Sequence, residues 1–262
     1  MQTDMELFIK ILICLFAGAG AGIGTGFAGM SAAAVIGPML ITFLGMPAYQ
    51  AIGIGLASDV LASAVSAYTY GKNKNLDVKS SLPLIISVLV MTAVGSWVAS
   101  FLPDTAMGNT TQIALLILGI RFIVKPVMKT KEHLAETPKK QRIIKAVIGG
   151  IIVGSICGTI GAGGGMMLLF VLTTFLGYSL HMAVGTSVFI MTFISFTGSA
   201  SHFLVSGMPD ILTLVLCIAF TFIFARIASV IANKAPAKTL NRVVGVVMIV
   251  TSAVILAVNY LV

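Results

Sequence analysis

Charged side chains are scarce in this 262-residue sequence, which has only 16 Lys and Arg and 8 Asp and Glu residues. They make up 9% of the chain, against about 25% in an ordinary soluble domain. Hydrophobic residues make up 58% and the mean hydropathy is +1.08. These values exclude a disordered chain and leave too few polar side chains to cover a soluble globule. We therefore predict an all-α integral membrane protein.

Cysteine and the common catalytic motifs are also rare or missing. The three cysteines, Cys14, Cys157 and Cys217, lie far apart in apolar stretches, so we expect no disulfide, no metal site and no cofactor. The sequence has no G-x-x-x-x-G-K-[ST] loop, which argues against an ATPase. It has no H-E-x-x-H or G-x-S-x-G motif either, which disfavours an intramembrane enzyme.

The net charge of +8 comes from three basic segments and does not indicate a nucleic-acid partner. Seven Lys and Arg residues fall between Lys125 and Lys145, in the one long hydrophilic gap. Shorter basic loops surround Lys72 and Lys234, whereas the loop near Asp210 is acidic. The positive-inside rule predicts that the three basic loops face the cytoplasm.

Apolar runs predict ten membrane segments, five on each side of the basic gap. This organisation gives a first repeat at 1–125, a cytoplasmic linker at 126–142 and a second repeat at 143–262. An alternative with eight segments merges the short runs into their predecessors, but it places the Lys234 loop outside. The runs lie at roughly 7–28, 30–45, 50–70, 80–102, 108–125, 143–162, 163–177, 182–204, 211–233 and 242–262.

The two halves repeat each other at an offset of 132 residues. Eleven identical pairs fall in one register without a gap, and five of them are glycines. A shared apolar composition alone does not produce that spacing. The first members of the pairs are Gly22, Gly26, Gly29, Leu40, Thr42, Phe43, Leu44, Gly45, Ala51, Gly53 and Ser63.

The repeat and the charges together predict that the halves have opposite orientations. The Lys72 loop is predicted to face the cytoplasm, and its counterpart near Asp210 is predicted to face outside. Inverted repeats are typical of secondary transporters, whose substrate site lies near the bilayer midplane between the halves.

A glycine cluster, Gly161-Ala162-Gly163-Gly164-Gly165, interrupts an apolar run, and its counterpart is Gly29-Met30-Ser31-Ala32-Ala33. Consecutive glycines weaken a helix, and the N-terminus of a broken helix offers N–H groups and partial positive charge to an anion. We therefore predict anion-binding positions at Gly163, Gly164, Gly165, Ser31 and Ala32. The alternative is tight helix packing, which we expect for the evenly spaced glycines Gly18, Gly22, Gly26, Gly154 and Gly158.

Asp59 is the only carboxylate well inside an apolar run. An intramembrane acid is costly, so its default interpretation is functional, and we predict that Asp59 couples proton movement to anion movement. The alternative is a protonated acid bonded to a neighbouring helix. Ser58, Thr186 and Ser187 are candidate site hydroxyls, with bonds to their own helix as the alternative.

Tyr68, Tyr70 and Lys72 stand where a predicted segment meets its basic loop. Aromatic side chains at such positions are typical of a membrane-interface belt, and a lysine there can extend to the headgroups. We therefore predict that both tyrosines lie at the interface.

The chain resembles the sulfite exporter TauE/SafE family of membrane transporters. The resemblance is carried by the Gly161–Gly165 run, the two Phe-Leu-Gly turns, Pro38 and the stretch from Ala183 to Ser187. It implies a multi-pass inner-membrane protein that moves small sulfur-containing anions such as sulfite or organosulfonates. The chain departs from the family where Ser31-Ala32-Ala33 replaces a first glycine run.

We thus expect a secondary transporter whose partners are a small anionic substrate and the lipid bilayer. A passive anion channel would keep the glycine sites without needing Asp59. A non-transporting membrane subunit, the remaining alternative, would bind no anion. The oligomeric state is left open by the sequence.

Overall fold

The computed structural model describes residues 2–99, 116–117, 119–121, 123–126, 138–160 and 164–261. All regular structure in these ranges is helical, which confirms the predicted class. The described residues among 116–124 are also helical. The other helices are α1 (Gln2–Ala28), α2 (Ala33–Leu44), α3 (Ala48–Lys72), α4 (Val78–Ala99), α5 (Lys139–Ile160), α6 (Gly164–Phe170, continued by a π-helical turn Val171–Phe175), α7 (Leu180–Ser206), α8 (Ile211–Lys234) and α9 (Ala237–Leu261).

Six of the described helices are long and apolar enough to cross a membrane: α1, α3, α4, α7, α8 and α9. The helix α2 and the helical stretch Gly164–Phe175 are shorter. At 1.5 Å per residue each reaches about 18 Å, which is less than the ~30 Å hydrocarbon core. Nine predicted segments thus coincide with helices, but two of these are half-length. The predicted segment at 108–125 lies mostly outside the described residues.

Both half-length helices end in the same way, at the two Phe-Leu-Gly turns. Gly45 and Gly177 have φ angles of +60° and +75°, in the left-handed region that glycine adopts without strain. The N–H of Met46 donates to Leu40 O at 3.3 Å, and the N–H of Tyr178 donates to Leu172 O at 2.9 Å. These bonds are 132 residues apart, so the sequence offset recurs in the backbone.

Glycines on α1 allow it to pack directly on the backbone of α8. A Cβ atom on Gly22 would lie 2.5 Å from Thr221 O and 2.7 Å from Ala225 N. In the other half, a Cβ on Gly154 would lie 2.6 Å from Val88 O, so α5 packs as closely on α4. The packing role expected for Gly22 and Gly154 is therefore observed. At the offset of 132 residues, α1 corresponds to α5 and α4 corresponds to α8, so the pair α1–α8 is equivalent to the pair α5–α4.

The helices α3 and α7 are counterparts of each other and pack together at the centre. A Cβ on Gly53 would lie 3.1 Å from His202 Cβ, and one on the counterpart Gly185 would lie 2.7 Å from Tyr70 Cβ.

The interface prediction is wrong for Tyr70. This side chain is fully buried, and its hydroxyl donates to Gly26 O at 3.0 Å. The reason is that α3 packs against α7 and the end of α1 at this level, so Tyr70 faces protein. Tyr68, on another face of α3, is 65% exposed, as a belt residue should be.

Candidate functional site

The chain leaves helical geometry between α1 and α2, at the first glycine segment. Gly29 has a φ of +62°, and its N–H donates to Thr25 O at 2.9 Å. The hydroxyl of Thr25 donates back to Met30 O at 2.8 Å, which holds the turn against the end of α1. The helix α2 then restarts beyond Ala32, within the protein interior.

The second glycine segment follows α5, which ends at Ile160, and includes the start of α6 at Gly164. Gly163, a predicted anion-binding residue, and its neighbours Gly161 and Ala162 lie outside the described residues. Gly164 and Gly165 begin α6 and are buried. Gly164 is covered by Cys157, whose sulfur would overlap a Cβ at that position.

The two glycine segments meet. A Cβ on Gly165 would overlap the carbonyl oxygen of Gly29, so the backbone of the first break is in direct contact with the start of α6. The hydroxyl of Ser187 likewise fills the space that a Cβ on Gly29 would need. The structure therefore brings together three elements that lie far apart in sequence: the first break, the start of α6 and the first half of α7.

Asp59 lies near the midpoint of α3 and is fully buried. Ser63 donates to its Oδ1 at 2.9 Å, and Ser195 of α7 donates to its Oδ2 at 2.8 Å. The hydroxyl of Ser31 and the backbone N–H of Ala32 also lie against this carboxyl group. The carboxyl group of Asp59 therefore lies beside the interruption between α1 and α2.

The hydroxyl of Ser31 is one of five buried hydroxyls that make no hydrogen bond among the described residues. Ser31 is 1% exposed, and its Oγ makes no hydrogen bond among the described residues. A buried hydroxyl without a partner is costly, so its position calls for an explanation. Here the unused hydroxyl lies at the start of α2, next to Asp59.

The two repeats contribute chemically unequal half-sites: the first break with Asp59, and the start of α6 with Met191. The counterpart of Asp59 is Met191, whose sulfur would lie 3.4 Å from a Cβ on Gly164. A carboxyl group thus faces the first break, whereas a neutral thioether faces the start of α6. Ser63 and Ser195, although counterparts, both serve the single carboxyl group.

Two predicted site hydroxyls are engaged elsewhere. Ser58 donates to Ile54 O at 2.8 Å within its own helix. Thr186 accepts the N–H of Asp77 at 3.3 Å, so it faces the connection between α3 and α4. Ser187 reaches Gly29 but also donates to Val184 O at 2.9 Å.

The connection between α3 and α4 forms a hydrogen-bonded cluster over the start of α7. Tyr178 donates to Asp77 Oδ2 at 3.2 Å and lies 2.9 Å from Ser81 Oγ. Burial raises the pKa of Tyr178 above its ordinary value, so the phenol keeps the proton that it donates. Asn75 donates to Asn233 Oδ1 at 2.8 Å, which ties this connection to the end of α8.

Our sequence reasoning did not connect Ser63 or Ser195 with Asp59. The sequence contains a pattern that could have indicated this contact. Ser63 follows Asp59 by one helical turn, and Ser195 is the repeat counterpart of Ser63. Within the described residues, no group of three or more His, Cys, Asp and Glu side chains could hold a metal ion.

The chain is similar along nearly its whole length to proteins described as probable membrane transporters. The family model described as Sulfite exporter TauE/SafE matches residues 14–255. The probable membrane transporter protein YdhB of Bacillus subtilis is 23% identical over 223 residues, which cover 85% of this chain and 91% of that protein. A probable membrane transporter protein of Haemophilus influenzae is 26% identical over 265 residues, covering 94% and 98%. No solved structure matches the chain.

Proposed function

The chain belongs to the sulfite exporter TauE/SafE family of membrane transporters, and from this premise we propose that it moves a small sulfur oxyanion or organosulfonate across the cytoplasmic membrane. Transport is coupled to a proton carried by Asp59. The observation that supports this proposal is one arrangement: a buried carboxyl group beside a helix break, at the point where that break touches the start of α6.

The chemistry of the break suits a small anion. A helix that begins inside the protein directs N–H groups and partial positive charge toward its start. Ser31 adds a hydroxyl, and Gly29 and Gly165 let the backbones approach without side chains between them. A small site of this kind favours a compact anion over a bulky one.

Movement is proposed to follow the repeat. In this proposal the halves are inverted, and they alternate around the glycine segments, as in other transporters built from inverted repeats. Single cysteines at Lys72 and Lys234 are expected to react from the cytoplasmic side, and single cysteines at Gly45 and Asp210 from outside. Labelling of Lys72 and Lys234 positions from opposite faces would contradict the inversion.

The coupling is tested in proteoliposomes that contain the purified protein. Sulfite and methanesulfonate uptake is measured with and without a pH gradient, for the wild type and Asp59→Asn. We expect gradient-driven accumulation by the wild type only. Flux that runs down the anion gradient and ignores pH would instead support a passive channel. Wild-type-like accumulation by Asp59→Asn would remove Asp59 from the mechanism.

The substrate class is tested by thermal stability. An anion that binds the native state raises the unfolding temperature by mass action. Sulfite, sulfate, thiosulfate, sulfonates and carboxylates are compared at equal concentration and ionic strength. Stabilisation by sulfur anions is expected. Absence of both stabilisation and flux with every anion would favour a non-transporting membrane subunit.

A further inference from the structure

We propose that the carboxylate of Asp59 is a tethered anion that occupies the anion position at the start of α2, so that a substrate anion binds there only when Asp59 takes up a proton. This inference rests on the proposed function and deepens it. It identifies what fills the position before substrate arrives and why anion and proton enter together.

The donors around Asp59 are those that an external anion would need. Both carboxyl oxygens accept hydroxyl hydrogen bonds, from Ser63 and Ser195. The N–H of Ala32, at the start of the 12-residue helix α2, lies against the same group. The buried hydroxyl of Ser31 lies there as well, against the carboxyl group, and makes no hydrogen bond of normal geometry among the described residues.

Basic side chains do not neutralise this carboxylate. The described contacts of Asp59 involve only hydroxyls and a backbone amide. Among the residues that the structure describes, the only cation close to the middle of a neighbouring helix is Arg226, which donates to Thr69 on α3. Thr69 follows Asp59 by ten residues, which corresponds to about 15 Å along the helix.

The other titratable groups on the neighbouring helices do not take part in these contacts. The helix α2 has none, and His202 on α7 stands about 10 Å along the helix from Ser195. The remaining groups are Asp4, Glu6, Lys10 and Cys14 on α1, His181 on α7, and Cys217 and Lys234 on α8. Protonation of Asp59 is therefore the direct way to remove its charge.

The comparison of the halves supports a single tethered anion. Met191, the counterpart of Asp59, is neutral and lies against Gly164 and Gly165. Only one of the two half-sites therefore carries its own carboxylate. One proton is accordingly expected to be taken up for each anion that binds.

Competition of this kind is measured by isothermal titration of the purified full-length protein with methanesulfonate. This probe stays a monoanion throughout, so any pH dependence belongs to the protein. Binding is measured near about pH 5.5 and about pH 8.5, for the wild type, Asp59→Asn and Asp210→Asn. The last variant makes the same chemical change at the far end of α8, outside the site.

We expect the wild type and Asp210→Asn to bind more than about tenfold more weakly at the higher pH, because an ionised carboxylate nearby repels the anion. Asp59→Asn is expected to bind about equally at both pH values, at least as tightly as the wild type at low pH. Equal pH dependence in Asp59→Asn and the wild type would overturn the proposal, as would absence of binding by both.

A second measurement uses only the wild type and so does not depend on the folding of a variant. Titrations in buffers of different ionisation enthalpy report the protons taken up on binding. About one proton per anion near neutral pH is expected from the linkage, and uptake of none would overturn the proposal. A result of no proton uptake would reject the competition between Asp59 and the anion even if the protein still showed gradient-driven flux. The two proposals can therefore fail separately.

Discussion

Ser63 and Ser195 are 132 residues apart, and they donate to the two oxygens of the same carboxylate, at 2.9 and 2.8 Å. They occupy equivalent positions in the two repeats, yet only one repeat has an acid for them to bind. The pair therefore ties the centre of α3 to the centre of α7 through Asp59.

Replacement of Ser195 by Ala is expected to destabilise the protein by about 1–3 kcal/mol, because it leaves a buried carboxylate oxygen without its donor. The same loss makes the ionised form less favourable. Methanesulfonate binding by Ser195→Ala should therefore persist to higher pH than in the wild type. Thermal unfolding in detergent and titration calorimetry measure the two effects.

The matched control is Ser199→Ala, one turn further along α7. Ser199 donates to Phe196 O in its own helix at 3.1 Å. Its removal should change stability by less than about 0.5 kcal/mol, as expected for a substitution that breaks no interhelical bond. Equal effects at Ser195 and Ser199 would show that the interhelical bond contributes nothing.

A methyl group at Gly22 should separate α1 from α8. A Cβ there meets the backbone at Thr221 O and Ala225 N, which cannot move independently of their helix. Gly22→Ala is expected to cost about 1–3 kcal/mol through overpacking. The unfolding temperature in detergent measures it.

Gly20→Ala is the control on the same helix. A Cβ at Gly20 meets only Val35 Cγ1, at the ordinary distance of 3.4 Å. Alanine should then be neutral or stabilising by up to about 1 kcal/mol, because it lowers the entropy cost of forming the helix. Destabilisation of both variants alike would contradict the packing explanation.

The N-terminal end of α8, where Asp210 is the N-cap, should show a weak pH dependence of stability. Hydrogen bonds from Thr213 and Lys10 lower the pKa of Asp210 to about 2. A lowered carboxyl pKa contributes stability that is complete above the ordinary value of about 4 and is lost as pH falls toward the folded-state value. Asp210→Asn should therefore unfold at a lower temperature than the wild type at pH 7, with the difference shrinking below about pH 4.

The effect should be small because the Asp210 side chain is 44% exposed. Exposed ion pairs contribute less than about 1 kcal/mol, and salt screens them. Lys10→Met should lower the unfolding temperature in the same direction, and the double variant should lose less than the sum. Additive losses would mean that Lys10 and Asp210 act independently.

The hydroxyl of Tyr178 should hold the connection between α3 and α4 in place. Tyr178→Phe removes the donor to Asp77 Oδ2, and the loss of a hydrogen bond to a charged group costs about 1.5–3 kcal/mol. Backbone amides near Asp77 should exchange hydrogen faster in this variant. Tyr68→Phe, at an exposed position, is the matched control and should leave that exchange unchanged.

Local sequence signals predicted the helices well. The predicted run at 211–233 is Ile211–Lys234, and the run at 50–70 is Ala48–Lys72. Hydropathy, glycine turns and loop charge act over short distances in the chain, so they can be read without knowing the packing. The same signals drew attention to Asp59 and to the first glycine segment, which the structure shows as a buried acid and a helix break.

Which face of a helix meets protein is a different kind of information. Tyr70 and Thr186 lie in apolar stretches whose sequence does not distinguish a lipid-facing side from a buried one. Tyr70 became buried because α3 packs against α7 at Gly185, and Thr186 faces Asp77 because of the same pairing. The environments of Tyr70 and Thr186 depend on which distant helices pack together, and hydropathy alone does not predict that pairing.

The contact between Gly29 and Gly165 restricts how the two halves can move relative to each other. Two bare backbones touch there, and no flexible side chain stands between them to absorb a sideways displacement. In the proposed alternating movement, the halves can rotate about this contact or separate at it, but they cannot slide past it without a steric clash between peptide groups.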